Sequence, residues 1–119
     1  ESWNRKEMDF EEVWQDIIDN LNVGEEVYTL TQRVRNRITD VGRDSITVMS
    51  ERTKKERKLL KRDFKPFVDY LLNQGSLDFM HDLPESDWIG RGAIIIAILT
   101  KLDYVDYETR PRRLFLRNR

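Results

Sequence analysis

Phe10, Val13, Trp14, Ile17, Ile18 and Leu21 recur at spacings of three and four, the period that lines one stripe of an α-helix. Asp9 stands where a cap belongs, Glu12 three residues on completes a capping-box pair, and Glu11 suits the positive end of the helix dipole. A helix is therefore expected from about Phe10 to Leu21, with Gly24 in the exit loop. Its stripe has two possible uses. It can dock on the domain's own core, or it can engage a partner or a second copy through Phe10, Trp14 and Ile17. Burial of Trp14 separates these readings.

The pattern then changes to alternation, the signature of strands. Val27–Leu30 reads as a short strand, and Arg37-Ile38-Thr39-Asp40-Val41 and Ile46-Thr47-Val48-Met49-Ser50 as a hairpin across Gly42-Arg43-Asp44-Ser45. Glu51 to Asn73 has the look of one long basic helix, but Pro66 would break it. The better division puts Thr53–Glu56 in a turn and Arg57–Lys61 in a fourth strand. A helix capped by Asp63 then follows, with Pro66 in its first turn.

Phe64, Phe67, Val68, Leu71 and Leu72 stripe that helix, and Gly75 suits a left-handed cap at its end. A short helix over Leu77–Asp82 is expected next, capped by Ser76. A third helix begins at Ser86 or Asp87 and runs through Ile89 and Ala93–Leu99 to Leu102. Two strands, Tyr104–Tyr107 and Leu114–Leu116, close the chain around a basic turn. The expected class is α+β in a single domain. Its parts are an acidic amino-terminal helix (1–26), an antiparallel β-meander (27–62) and a helical unit ending in a hairpin (63–119).

With 119 residues the chain fits one core. The absence of cysteine excludes disulfides and thiolate metal sites and favours a reducing, intracellular setting, cytoplasmic or nucleoid-associated. The longest apolar run, Ala93 to Leu99, is far short of a membrane span. Beginning at Glu1 without methionine, the chain reads as a domain cut from a longer protein. Charge alters the picture most. Residues 27–65 hold twelve basic and five acidic side chains, near +7, while residues 1–26 stand near −7. Such sorting points to a polyanion partner. If the chain is extended there, Arg33, Arg35 and Arg37 project from one face, and Lys54, Lys55 and Arg57 meet them from the neighbouring turn. The competing reading is a solvated mixed-charge face in which those cations pair with Asp40, Asp44, Glu51 and Glu56. Tyr28 is the only aromatic among these strands, so a base-stacking platform is poorly supplied.

Helix, turn, helix, helix and basic hairpin over residues 63–119 resembles the winged-helix variety of helix-turn-helix. The resemblance implies a third helix entering the major groove with Arg91 facing it, and a wing carrying Arg110, Arg112 and Arg113 to the DNA backbone. One departure matters. Ala93 to Leu99 is apolar on nearly every face, which favours phosphate positioning over base reading. The stretch from Asn36-Arg37-Ile38 through Ser50-Glu51-Arg52-Thr53 also resembles accessory modules of restriction and related DNA-processing nucleases. That implies a DNA-positioning role beside a separate catalytic domain.

Catalytic chemistry is sparse. His81 is the sole histidine, which excludes multi-histidine metal sites. The Asp78, His81, Asp82, Glu85 and Asp87 cluster lacks the ligand order of a calcium loop. Glu56-Arg57-Lys58, with Asp44 upstream, matches the short element of metal-dependent nucleases and supports a remote nuclease alternative. Gly90-Arg91-Gly92 reads either as a phosphate-binding helix start or as close packing. No catalytic residue, metal ligand or cofactor is assigned. The expectation is a non-catalytic DNA-binding module, with a protein-interaction or dimerisation domain as the alternative.

Overall fold

The computed structural model describes residues 8–110 and 112–117, so part of the acidic segment, residues 1–7, lies outside it. Its first helix, α1 (Phe10–Asn20), begins at the expected capping box. The Asp9 carboxylate accepts the Glu12 amide at 3.0 Å, and Glu12 accepts the Asp9 amide at 3.2 Å. The stripe turns inward, leaving Trp14 only 2% exposed. Its ring meets Phe64 edge-on at 5.2 Å, and its Nε1–H donates to the Arg43 carbonyl at 2.7 Å. Phe10 and Ile17 are buried too. The expected partner-docking use of Phe10, Trp14 and Ile17 is thereby corrected: these side chains are spent inside the domain.

Strands β1 (Glu26–Tyr28), β2 (Arg35–Val41), β3 (Ser45–Ser50) and β4 (Glu56–Leu60) form an antiparallel meander in chain order. Alternation sends Val27, Ile38, Ile46, Val48 and Leu59 to the core. β4 starts at Glu56, opposite Met49, so Glu56 belongs to the ladder and not to the turn. Helix α2 (Lys61–Gln74) starts directly after β4. Asp63 serves as its third residue, accepting the Leu60 amide at 2.9 Å, where it was expected to be the cap itself. Pro66 consequently falls in the second turn, and the carbonyl it fails to partner belongs to exposed Arg62. Gly75 ends the helix at φ 84° as expected, its amide on the Leu71 carbonyl.

The remaining elements are β5 (Ser76–Leu77), α3 (Phe79–Asp82), α4 (Glu85–Trp88), α5 (Gly92–Leu99), β6 (Val105–Thr109) and β7 (Arg112–Leu116). β7 lies between β5 and β6 in a second antiparallel sheet. Ser76 and Leu77 were expected to open a helix, but they pair with Phe115 and Leu114. The expected long third helix is broken in two around Gly90, at φ 76°, and α5 begins only at Gly92. Every residue from Ile94 to Leu99 is buried, because α5 lies under β1 of the meander as well as within its own unit. One continuous core joins all these layers. Among the described residues, no helix is long and apolar enough to cross a membrane.

Polar ties hold the meander on the helical unit. Lys101 reaches the Glu25 carboxylate at 3.1 Å and the Glu26 carbonyl at 3.3 Å. Tyr104 donates to Asp16 on α1 at 2.6 Å, and burial, then this carboxylate, push the phenol well above its ordinary value.

Candidate nucleic-acid interface

Arg35 and Arg37 alternate with buried Asn36 and Ile38, so they share the outer face of β2. Register decides their chemistry. Glu26 lies opposite Arg37, and Tyr28 opposite Arg35. The Glu26 carboxylate consequently sits 3.5 Å from both guanidinium groups, and Glu51 approaches them at 3.1 and 3.9 Å. Lys54 joins the same group, 3.7 Å from Glu51. Glu26 first, then Glu51, hold the Arg35 guanidinium above its ordinary value. Arg33 was expected in this row, but it precedes the strand at φ 57° and lies over the Tyr28 ring instead, 5.1 Å from its centroid. On the outer face, three cations therefore share two carboxylates.

The inner face leads elsewhere. Arg57, opposite Val48, points across the seam between the meander and the helical unit and donates to the Gly90 carbonyl. From the far wall, Arg112 on β7 donates to Thr31 Oγ1 at 3.4 Å and to Met80 Sδ, and covers the Phe79 ring at 5.1 Å. Arg91, at the start of α5, donates to the Ser86 carbonyl at 2.9 Å and lies 3.9 Å from Asp63. These three side chains, with Lys55, line a cleft of about 650 Å³ whose walls carry a single carboxylate, Glu56, among the described residues. No described carboxylate lies within 4.0 Å of Lys55, Arg57 or Arg112. The hydrogen bonds of the two arginines go to a carbonyl, a hydroxyl and a thioether, which leave the positive charge uncompensated. The Nε atoms of Arg91 and Arg112 are buried without a hydrogen-bond partner. Gly92 and Ala93, the first residues of α5, open onto this cleft, and no side chain caps the helix.

The structure thus brings together Lys55, Arg57, Arg91 and Arg112 and leaves Arg33, Arg35, Arg37 and Lys54 apart. The hairpin is divided as well. Alternation turns Arg112 into the cleft and Arg113 outward onto Glu108, 2.5 Å away, while Arg110 occupies the turn. Arg91 does not stand on a groove-reading helix, since the meander covers α5. Asn36 is the residue that sequence reasoning missed. It is the one buried polar side chain among the described residues, 6% exposed, and it lines the cleft. Its signal was a carboxamide at an inward strand position where Ile38, two residues on, is aliphatic.

The remaining candidates stay local. Asp44 lies opposite Lys61 beyond the end of β4, while Glu56 lies opposite Met49, so roughly 17 Å of strand separates the two carboxylates. They cannot share one metal ion. Gly92 has a packing role: a Cβ there would stand 2.8 and 2.9 Å from Cζ and Cδ2 of Phe79. Among the described residues, no group of three or more metal-type ligands is gathered. His81 instead contacts Asp78 at 2.8 Å, which raises the imidazole pKa above its ordinary 6.5. The contribution of this exposed contact to stability is fully present below that value and lost as pH rises through the folded one. An NMR titration is expected to place the His81 midpoint above 6.5 and to move it back toward that value in Asp78→Asn.

Compared with known proteins, the chain matches no family model, no curated protein and no solved structure.

Proposed function

We propose that this domain is a non-catalytic DNA-binding module. In this reading it holds the phosphate backbone along the basic cleft and positions it for chemistry supplied elsewhere in a larger DNA-processing or restriction protein. The observation that carries the reading is the contrast between two sets of cations. Arg35 and Arg37 share two carboxylates, whereas Lys55, Arg57 and Arg112 converge without one. Clefts lined by cations concentrate field and attract polyanions, and each phosphate neutralised adds a salt-dependent increment of affinity. The mode differs from the winged-helix expectation. α5 has no exposed polar face for base edges, so backbone contact is favoured over sequence readout.

The alternative reading, a dimerisation domain built on the first helix, has lost its supporting feature, since that apolar stripe is internal. Duplex binding measured across a salt series tests the DNA reading. Lys55→Gln with Arg57→Gln is expected to reduce the slope of log affinity against log salt by about 2, and Arg35→Gln with Arg37→Gln by less than about 1. Absence of duplex binding at about 50 mM salt, or equal effects of the two pairs, would sink it.

A further inference from the structure

The cleft has an interior as well as a charged rim, and the interior is built for something other than phosphate. Asn36 lies along its wall, more than nine-tenths buried. The Asn36 Nδ2 donates to the Val34 carbonyl at 3.3 Å, and among the described residues no donor reaches Oδ1. That oxygen is open to the cleft and not sealed in the core, where the described buried polar atoms without a partner are the Nε of Arg91 and of Arg112, so it can accept from a donor arriving from outside. The second Nδ2 hydrogen is also unused, so Asn36 offers one acceptor and one donor side by side, which complements a nucleobase edge. Trp88, Ile94 and Ile96 supply apolar wall around it. A volume of about 650 Å³ falls within the range of small-ligand sites and suits one nucleotide, whereas a duplex cannot enter.

We infer that the cleft takes a single unstacked nucleotide of DNA, its phosphate at Arg57, Arg91 and Arg112 and its base edge on Asn36. This rests on the DNA-binding reading above. Duplex binding at the rim requires only the cations; insertion requires the interior. An unpaired nucleotide is the favoured occupant because its unstacking energy has already been spent.

The whole chain is titrated at one salt concentration with a fully paired duplex and with the same duplex carrying one unpaired nucleotide. The second is expected to bind at least about tenfold more tightly. Ala93 is exposed on the first turn of α5 and faces the cleft, so Ala93→Trp is expected to fill it and to abolish that preference, bringing the ratio of the two affinities to about one. A 2-aminopurine at the unpaired position gives a reading independent of the variant: binding is expected to shield it from acrylamide quenching. Equal affinity for the two duplexes, a preference that Ala93→Trp retains, or an unshielded fluorophore overturns the inference and leaves the DNA reading standing. Failure of both duplexes to bind overturns both. Displacement by polyglutamate as effective as by single-stranded DNA assigns the cleft to acidic polypeptide and likewise overturns it.

Discussion

Trp14→Ala is expected to destabilise the domain by about 3–5 kcal/mol, the range for removing a large aromatic from a closed core. Two losses combine. The ring is 2% exposed and fills space between Phe10 and Phe64, whose centroids lie 6.4 and 5.2 Å away, so truncation leaves a cavity. Its Nε1–H also fastens α1 to the β2–β3 turn through the Arg43 carbonyl, and that bond is lost. Against a total of about 5–15 kcal/mol for a domain of this kind, the change removes a large share of stability. Urea denaturation followed by far-ultraviolet circular dichroism measures it. Trp14→Phe, which retains a ring but no donor, is expected to lose roughly half as much. A Trp14→Ala protein unfolding at the wild-type midpoint would detach α1 from the core and restore its stripe to a partner.

That stripe shows what the sequence made legible. A helix needs only local groups to start and end, and Asp9, Glu12 and Gly75 performed those tasks where their types implied. Alternation likewise marked β2 and β3, because a strand with one buried face must repeat every second residue. Two-residue β5 carried no period to detect, since its existence depends on Leu114 and Phe115, far along the chain. The site was less legible for the same reason. Glu26 belonged to the acidic segment and Arg37 to the basic one, yet the β1–β2 register sets them opposite each other. Lys61 meets Glu11 across the same divide, at 2.6 Å. The charge sorting along the chain is therefore partly cancelled in space, at Arg35, Arg37, Lys54, Lys61 and Lys65, and the cations with no described carboxylate within 4.0 Å include Lys55, Arg57 and Arg112 at the cleft. The uniform apolarity of α5 announced that something covers it, but nothing local named the meander as the cover.

The second large effect is expected at Gly92, where two principles oppose each other. Alanine in place of glycine favours a helix by about 1 kcal/mol, less near its first turn. The added Cβ, however, enters the Phe79 ring at under 3 Å, and the ring has little room to retreat. Phe79 is 4% exposed, packed 5.8 Å from Phe67 and 5.4 Å from Trp88, and covered by Arg112. Overpacking of this kind costs about 1–3 kcal/mol, so Gly92→Ala is expected to destabilise despite its propensity. Phe79→Leu alone is expected to destabilise as well, by leaving a void. Combined, each change relieves the other, and a urea double-mutant cycle is expected to show favourable coupling of about 1 kcal/mol or more. Additivity, or a Gly92→Ala protein more stable than wild type, would mean that α5 does not start against this ring. The pair also separates stability from binding. The leucine replacement offers Arg112 no ring face, so, on the proposed DNA-binding reading, a double variant that regains stability is still expected to hold DNA less tightly than wild type.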